Sequence, residues 1–539
     1  MSEALLRIEI TSVRSVSNHK PHRQHFSASN HTNKRLCLLK MPRKRKRSDN
    51  PLSTARGKKD SEALWHRKSG AGFRLFVEFY ARNLEAVCSP TGRHCPETHQ
   101  RSNVSERAET GSGMSRAAKR RKKKKGKKSQ NEQPEGAFSL PTKSLPDEDS
   151  LLDNNSVKFK LLSALKSHTL STDQEDAFRL FLLAISKPLP ITFRIRNGLD
   201  SPTREALHRM ITSFDSLVGE SLFFDNIFQA KSSIVSKESV GKRAPDLKAF
   251  LVGQSSQGSI ARQELGSMLP VLALSKGGWI QEGSKILDLC ASPGSKTLQA
   301  LEIVGAKGRI KANDIKESRL IALKEAVRRS SVKNIDRIKY TMYDASVYPI
   351  PKNRLFDAVI CDVPCSGDGT IRKDHHILPG WTPNTSNALH SLQVKILKRA
   401  IACCRVGGVI SYSTCSMNPV EDEAVVCAAL NQFGGENGSE PVVELLSWPI
   451  AKDFCVQAGL RHWFVADYDG ECVGADGDDE PRLRWFSNFK LAVENKMLGA
   501  CETLWPPEEP PSRLEKCMRL HPQNHDSGGF FVALLKRIK

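Results

Sequence analysis

Two cysteines stand in surroundings that give a thiol chemistry to do. Cys365, in Asp362-Val363-Pro364-Cys365, and Cys415, in Thr414-Cys415-Ser416, each follow a short apolar run into a polar turn. Peptide N–H groups at such turns, together with a lysine such as Lys296, can draw a thiol toward its nucleophilic thiolate form. Cys290, Cys361, Cys403 and Cys404 read instead as small hydrophobes without reactivity. No histidine or further cysteine lies at a ligand spacing around Cys365 or Cys415, so a metal site is not expected. Carboxylates mark the ends of neighbouring runs. Asp314 falls 20 residues after Gly294, where an acidic side chain can accept from both hydroxyls of a ribose. Asp344 reads two ways, as the acceptor for an exocyclic amine such as adenine N6 or as a helix N-cap.

The elements that must hold these groups are short apolar runs, 285–289, 309–314, 338–344, 356–362 and 408–414, alternating with helical stretches. That alternation predicts a doubly wound parallel sheet with helices on both faces and its ligands at the carboxyl ends of the strands. After the first run comes the turn Cys290-Ala291-Ser292-Pro293-Gly294-Ser295-Lys296, whose glycine lets backbone approach a ligand and whose proline suits a helix start. Neither a P-loop nor the GxGxxG of dinucleotide folds is present, so a mononucleotide-like ligand without a pyrophosphate is expected. Upstream, helical spacing in 159–168 and 175–185, followed by the strand-like Ile191–Arg196, predicts a small α/β unit.

Taken together, "DLCASPGSKT", "NDIKESR", "DVPCSGDGTIRK" and "YSTCSMNPVEDEAVV" resemble the successive motifs of the nucleolar-protein/Sun family of RNA cytosine-5 methyltransferases. "PLPITFRI", "RQELGSMLP" and "CMRLHPQNHDSGGFFVALLK" extend the likeness, which is nearest to the multisite tRNA cytosine-5 methyltransferase type and covers most of 157–539. Ser292 departs from the family's usual alanine by one small side chain. The resemblance implies a class I, Rossmann-like α/β sheet binding S-adenosyl-L-methionine, preceded by a small α/β RNA-binding unit and a disordered basic arm. The implied cofactor site comprises Cys290, Ala291, Ser292, Pro293, Gly294, Ser295 and Lys296, with Asp314 on the ribose, Arg319 beside it, Asp344 near adenine, and Asp362. Cys415 is the implied nucleophile and Cys365 the group that assists release. Asp362 steadies the activated base and Lys296 orients Asp362. The RNA-type assignment rests on Thr414-Cys415-Ser416, because DNA cytosine-5 methyltransferases attack with the Pro-Cys cysteine. Strand Ile191–Arg196, with Arg194 and Arg196, is expected in the RNA-binding unit. An rRNA substrate and an inactive RNA-binding assembly factor are the alternatives.

The chain has 539 residues, with 82 Lys and Arg against 59 Asp and Glu, a formal charge of +23. Residues 1–130 hold 32 basic and 10 acidic side chains, which leaves the remainder close to neutral. The basic pI therefore belongs to an extension, 1–155, expected to be mostly disordered, followed by the RNA-binding unit at 156–262 and the catalytic domain at 263–539. Its clusters Arg43–Arg47 and Arg116–Lys128 read as nuclear import signals bound by an import receptor, as nucleic-acid patches, or as solvated linker. Nucleus or nucleolus is the expected location, and Met41 is an alternative start to Met1. Deleting 1–130 is expected to spare turnover and weaken RNA binding. Cysteine spacing shows no disulfide framework, no run of about 18 apolar residues could span a membrane, and residues 1–40 lack the apolar core of a secretory signal.

Overall fold

The computed structural model describes residues 71–88 and 156–539, apart from 167, 215–223, 225, 233–234, 238, 353–354, 436–439, 451–453, 455 and 471–480. Both basic clusters lie outside the described residues. Three strands, β1 (Thr192–Ile195), β2 (Ile227–Gln229) and β3 (Ile260–Arg262), form a small antiparallel sheet in the order β2-β1-β3. Helices Ser201–Thr212 and Pro245–Gln257 cover it, and Phe193, Leu207, Phe228, Leu247 and Ile260 make its core.

The expected parallel strands all form: β4 (Lys285–Asp288), β5 (Arg309–Asn313), β6 (Ile338–Thr341), β7 (Phe356–Asp362) and β8 (Cys404–Thr414). β9 (Val443–Leu446) and β10 (Gln457–Ala458) follow, then a separate pair, β11 (Val465–Asp467) with β12 (Arg484–Phe486), and finally β13 (Met518–Leu520) and β14 (Phe530–Arg537). The large sheet runs β10-β13-β14-β8-β7-β4-β5-β6, with β9 also on β14, and β14 antiparallel to β8. This is the class I methyltransferase sheet. Chain order reverses between β4 and β7, so their carboxyl ends diverge there and open the crevice in which such folds bind ligands.

Burial is nearly continuous along β4, β7 and the second half of β8, as expected of a sheet covered on both faces, and successive residues point alternately into two cores. Ile286, Ala358, Ile360 and Val532 join one core with helices Leu265–Lys276, Ser295–Val304 and Glu317–Arg329. Leu287, Val359, Tyr412 and Phe531 join the other, under helices Asn384–Cys403 and Glu423–Phe433.

That second core departs from the expected partition. Helices Val157–Leu165 and Thr172–Ser186, grouped by sequence with the small unit, pack here through Leu161, Phe178, Phe181 and Ile185. Helix Ala71–Arg82, inside the extension expected to be disordered, adds Leu75, Phe76, Phe79 and Tyr80, all fully buried. Its apolar residues line one helical face and enough area is covered to outweigh the cost of ordering a short segment. Carbonyls at its far end are captured by side chains, Val87 by Gln523 Nε2 and Ala86 by Arg519. The expectation that 1–130 can be deleted without loss therefore cannot extend to 71–88.

Arg194 and Arg196 lie in the small unit, as expected, with their charges turned inward. Both are buried on β1 and aim at Glu302, on the helix after the Cys290–Lys296 turn, at 2.6 and 3.2 Å. They fasten the small sheet to the catalytic domain instead of facing solvent.

Candidate active site

The turn after β4 leads into helix Ser295–Val304 through Gly294, whose φ of +108° suits only glycine. Pro293 lies two residues before the helix and not at its first position. The first helical turn sends Lys296 inward. Its Nζ donates to Asp362 Oδ2 at 2.9 Å and to Ser267 Oγ at 3.0 Å, and it lies 5.2 Å from the centre of the Phe530 ring. Burial works against the ammonium charge, but the Asp362 carboxylate outweighs it, so the lysine pKa stands above its ordinary value. The other Asp362 oxygen accepts from Ser413 Oγ at 2.7 Å. Asp362 is thereby held from β4's turn on one side and from β8 on the other.

Beyond β7 and β8 the two cysteine turns meet, with Cys365 Sγ 3.3 Å from Cys415 Sγ. Residues that follow each sulfur tie the turns together. Ser366 Oγ lies 3.2 Å from Ser416 Oγ, and Ser366 gives its N–H and hydroxyl to Glu421 at 2.9 and 2.5 Å. Gln393 Nε2 bridges Pro364 O and Glu421, both at 3.0 Å. Gly369 N donates to Cys415 O at 3.0 Å, an approach only glycine permits, since a Cβ there would fall 2.3 Å from Gly529 O. The hydrogen bond to Cys415 and burial together push the Cys365 thiol well above the usual thiol range. For Cys365 this reverses the sequence expectation of a lowered pKa. The sulfur-to-sulfur bond governs it, and Lys296 is committed to Asp362.

Asp314 ends β5 almost wholly buried and accepts from Arg319 Nε at 3.0 Å and from the Ser292 N–H at 3.4 Å. Arg319 also donates to Ser292 O at 2.9 Å, so it braces Asp314 against the turn containing Ala291 and Ser295. Asp344 caps the short helix Ala345–Val347: Ser346 N and Oγ both bond its Oδ1, at 2.8 and 2.7 Å. The cap uses one oxygen, so capping and ligand binding are compatible. Cys361, Cys403 and Cys404 are buried, and burial lifts the latter two thiols to about 11 and about 12. Cys290 behaves likewise, with its thiol raised by burial and by Asp288. These four match the unreactive reading.

Several participants were not singled out from sequence. Asp288, at the end of β4, is buried and pushed up to about 7 by its desolvation; Thr297 bonds its Oδ2, while Oδ1 has no partner among the described residues. Ser267, Ser413 and Glu421 were visible only as polar letters inside the motifs. The acids Glu421-Asp422-Glu423, whose place just before a helix is that of an N-cap, are fully buried, and Asp422 makes no side-chain cap. Asp422 and Glu423 pair with buried Arg519, which also donates to Met417 O at 2.9 Å. An acidic run before a helix signals a cap only where the acids reach solvent or the helix N–H groups.

Residues 279–449 match the family described as 16S rRNA methyltransferase RsmB/F. These residues, which include both cysteine turns, carry the RsmB/F, or Sun-family, domain. Over 417 residues the chain is 33% identical to the multisite-specific tRNA:(cytosine-C(5))-methyltransferase trm4b of Schizosaccharomyces pombe, covering 67% of this chain and 56% of that one. Over 405 residues it is 30% identical to the multisite-specific tRNA:(cytosine-C(5))-methyltransferase of Saccharomyces cerevisiae, covering 69% and 54%. The chain thus spans about half the length of these relatives. It is also 36% identical over 209 residues to ribosomal RNA small subunit methyltransferase F of Serratia proteamaculans, covering 39% and 42%. The crystal structure of a methyltransferase homologue from Pyrococcus horikoshii overlaps 70% of this chain and 95% of its own, with a TM-score of 0.46 and 22% identity.

Proposed function

We propose that this RsmB/F-family protein is an enzyme that methylates carbon-5 of cytosine in RNA, with tRNA as substrate and S-adenosyl-L-methionine as donor. The observation that carries the reading is the contact between Cys365 and Cys415 beside the Lys296–Asp362 ion pair. The names of the two multisite tRNA relatives support tRNA. Cofactor fit is supported by the crevice itself. It offers the turn Cys290–Lys296, the buried Asp314 braced by Arg319, an Asp344 with one oxygen outside its cap, and Asp288 Oδ1 without a protein partner at the end of β4. When bound there, S-adenosyl-L-methionine supplies an electrophilic methyl group.

Carbon-5 of cytosine is too weak a nucleophile until the ring's aromaticity is broken, and a thiolate adding to carbon-6 breaks it. Either sulfur can donate in the contact between the two; the attack is assigned to Cys415 because the turn Thr414-Cys415-Ser416 matches the RNA-type motif, and the raised Cys365 thiol accords with that division. Asp362 accepts from the cytosine amine, and Lys296 and Ser413 fix both its oxygens so that it is oriented before the base arrives. Release requires that a water take the carbon-5 proton, that the electrons of that bond re-form the carbon-5 to carbon-6 double bond, and that the carbon-6 to sulfur bond break with its electrons returning to Cys415 as the thiolate. Cys365, touching that sulfur, assists directly or through a water. A paired cytosine must leave its helix to reach this crevice.

The test separates the cysteines. Cys415→Ala should form no RNA adduct and be inactive. Cys365→Ala should accumulate an adduct that survives denaturing electrophoresis and disappears in the double variant. The reverse pattern would assign the attack to Cys365 and overturn the scheme.

An rRNA substrate is the second reading, favoured by the description of the matched family. Transcriptome-wide bisulfite sequencing of a deletion strain decides between them, by whether tRNA or rRNA loses 5-methylcytosine. Nuclear accumulation through an import receptor rests on the clusters at Arg43–Arg47 and Arg116–Lys128 and is part of the same proposal.

A further inference from the structure

The turn that presents Cys415 is held from three sides by the segment at 368–369. Gly369 N bonds Cys415 O, while Asp368 Oδ1 accepts from Ser416 Oγ at 3.1 Å and from Met417 N at 2.8 Å. Asp368 is fully buried, so each of its oxygens needs donors supplied by protein. The turn satisfies Oδ1. Oδ2 receives the Tyr80 hydroxyl at 2.5 Å and a long bond from Trp381 Nε1 at 3.4 Å. Tyr80 is on helix Ala71–Arg82, far from every family motif in sequence, and it too is fully buried.

Packing and hydrogen bonding can be separated at this side chain. The Tyr80 ring stands 4.7 Å from Phe76, 5.2 Å from Phe79 and 6.0 Å from Trp381, an aromatic cluster that a phenylalanine would preserve. Its hydroxyl adds something the ring does not. Burial and the adjacent Asp368 keep that hydroxyl protonated, so it remains a donor across the neutral range. Without it, Oδ2 keeps only the long Trp381 bond, and a buried carboxylate so deprived must rotate or take up a proton. Rotation releases Oδ1 from Ser416 and Met417, the two residues after the nucleophilic cysteine, and protonation makes Oδ1 a weaker acceptor for them.

We propose that Tyr80 is a positioning residue for Cys415, acting through Asp368, so that helix Ala71–Arg82 is part of the catalytic unit. This rests on the methyltransferase reading above. A cysteine whose turn has loosened still lies in a complete binding crevice. The loss should therefore appear in turnover more than in affinity.

The experiment is Tyr80→Phe in the full chain, with Asp368→Asn and the double variant. Tyr80→Phe should lower kcat by about tenfold or more, since small misplacements of reacting groups are costly. KM for tRNA and Kd for S-adenosyl-L-methionine should stay within about twofold of wild type. Once Asp368 is asparagine, removing the Tyr80 hydroxyl should cost nothing further, because interacting residues are not additive. Amide exchange at Met417 should accelerate in Tyr80→Phe while the interior of helix Ala71–Arg82 stays protected. That measurement needs no substrate, so it stands even if the wild-type protein fails to methylate RNA, an outcome that would sink only the activity assignment. Unchanged Met417 exchange with unchanged kcat, or additive losses in the double variant, would reduce Tyr80 to a packing residue and overturn the proposal.

Discussion

Replacing Glu302 by alanine should strip the pairing from two buried guanidinium groups at once. Glu302 accepts from Arg194 at 2.6 and 3.0 Å, from Arg196 at 3.2 Å and from the Asn197 N–H at 3.2 Å, and its side chain is 2% exposed. Burial already pulls the Arg196 guanidinium below its ordinary range, with Glu302 working against that shift. Breaking a buried pair by deleting one partner costs about 3–5 kcal/mol, because the other charge remains in the interior. Two arginines share this glutamate, so the upper part of that range is expected. Urea and thermal unfolding of Glu302→Ala read the loss, and hydrogen exchange in β1 and helix Ser295–Val304 locates it. The companion variant Arg194→Met, Arg196→Met, Glu302→Leu should come within about 1–2 kcal/mol of wild type or exceed it, since apolar replacement of a buried ionic group is often neutral. A loss below about 1 kcal/mol for Glu302→Ala would refute the argument. So would a triple variant as unstable as the single one.

Gly369→Ala should place a methyl group against Gly529 O and Cys415 O, cost about 1–3 kcal/mol of stability by overpacking, and reduce methyl transfer more than cofactor affinity; melting curves and kinetics check it. Asp314→Ala should weaken S-adenosyl-L-methionine binding by about 1.5–3 kcal/mol, the value of hydrogen bonds to a charged group, and calorimetric titration of the folded variant decides it. His390, buried between Val420 O and Thr503 Oγ1, is lowered to about 4 by its desolvation. The unfolded chain therefore takes up a proton there, near its ordinary pKa, before the native state does. The stability of neutral His390 is complete above about pH 6.5 and is lost as pH falls toward 4, up to about 3 kcal/mol in all. His390→Gln should lack that part of the acid destabilisation in urea titrations between pH 7 and pH 4.

The parallel strands were legible because each is a short apolar run bounded by polar turns, and the candidate site was legible because its residues sit at the ends of those strands. What escaped is governed by partners far away in sequence. Nothing near Arg194 announces Glu302, and a basic strand then reads as a nucleic-acid surface. Helix Ala71–Arg82 is isolated within a charged extension, and only the aromatic cluster around Trp381 shows why it folds. The acids after Cys415 look like a cap until Arg519 is placed among them. Asp344 caps with one oxygen, and its sequence context alone could not say whether the other serves a ligand.

β14 has its own consequence for how the molecule is made. It lies beside β8 in the middle of the sheet, with Phe531 opposite Thr414, the residue before Cys415. While residues 530–537 are still to be synthesised, β8 presents a bare edge of unpaired peptide groups. Closure of a loop that long is slow, and it exposes an apolar strand while it is pending. Competence for chemistry is thus acquired late on the folding pathway, and a nascent chain paused short of Phe530 is a natural client for chaperones that cover strand edges.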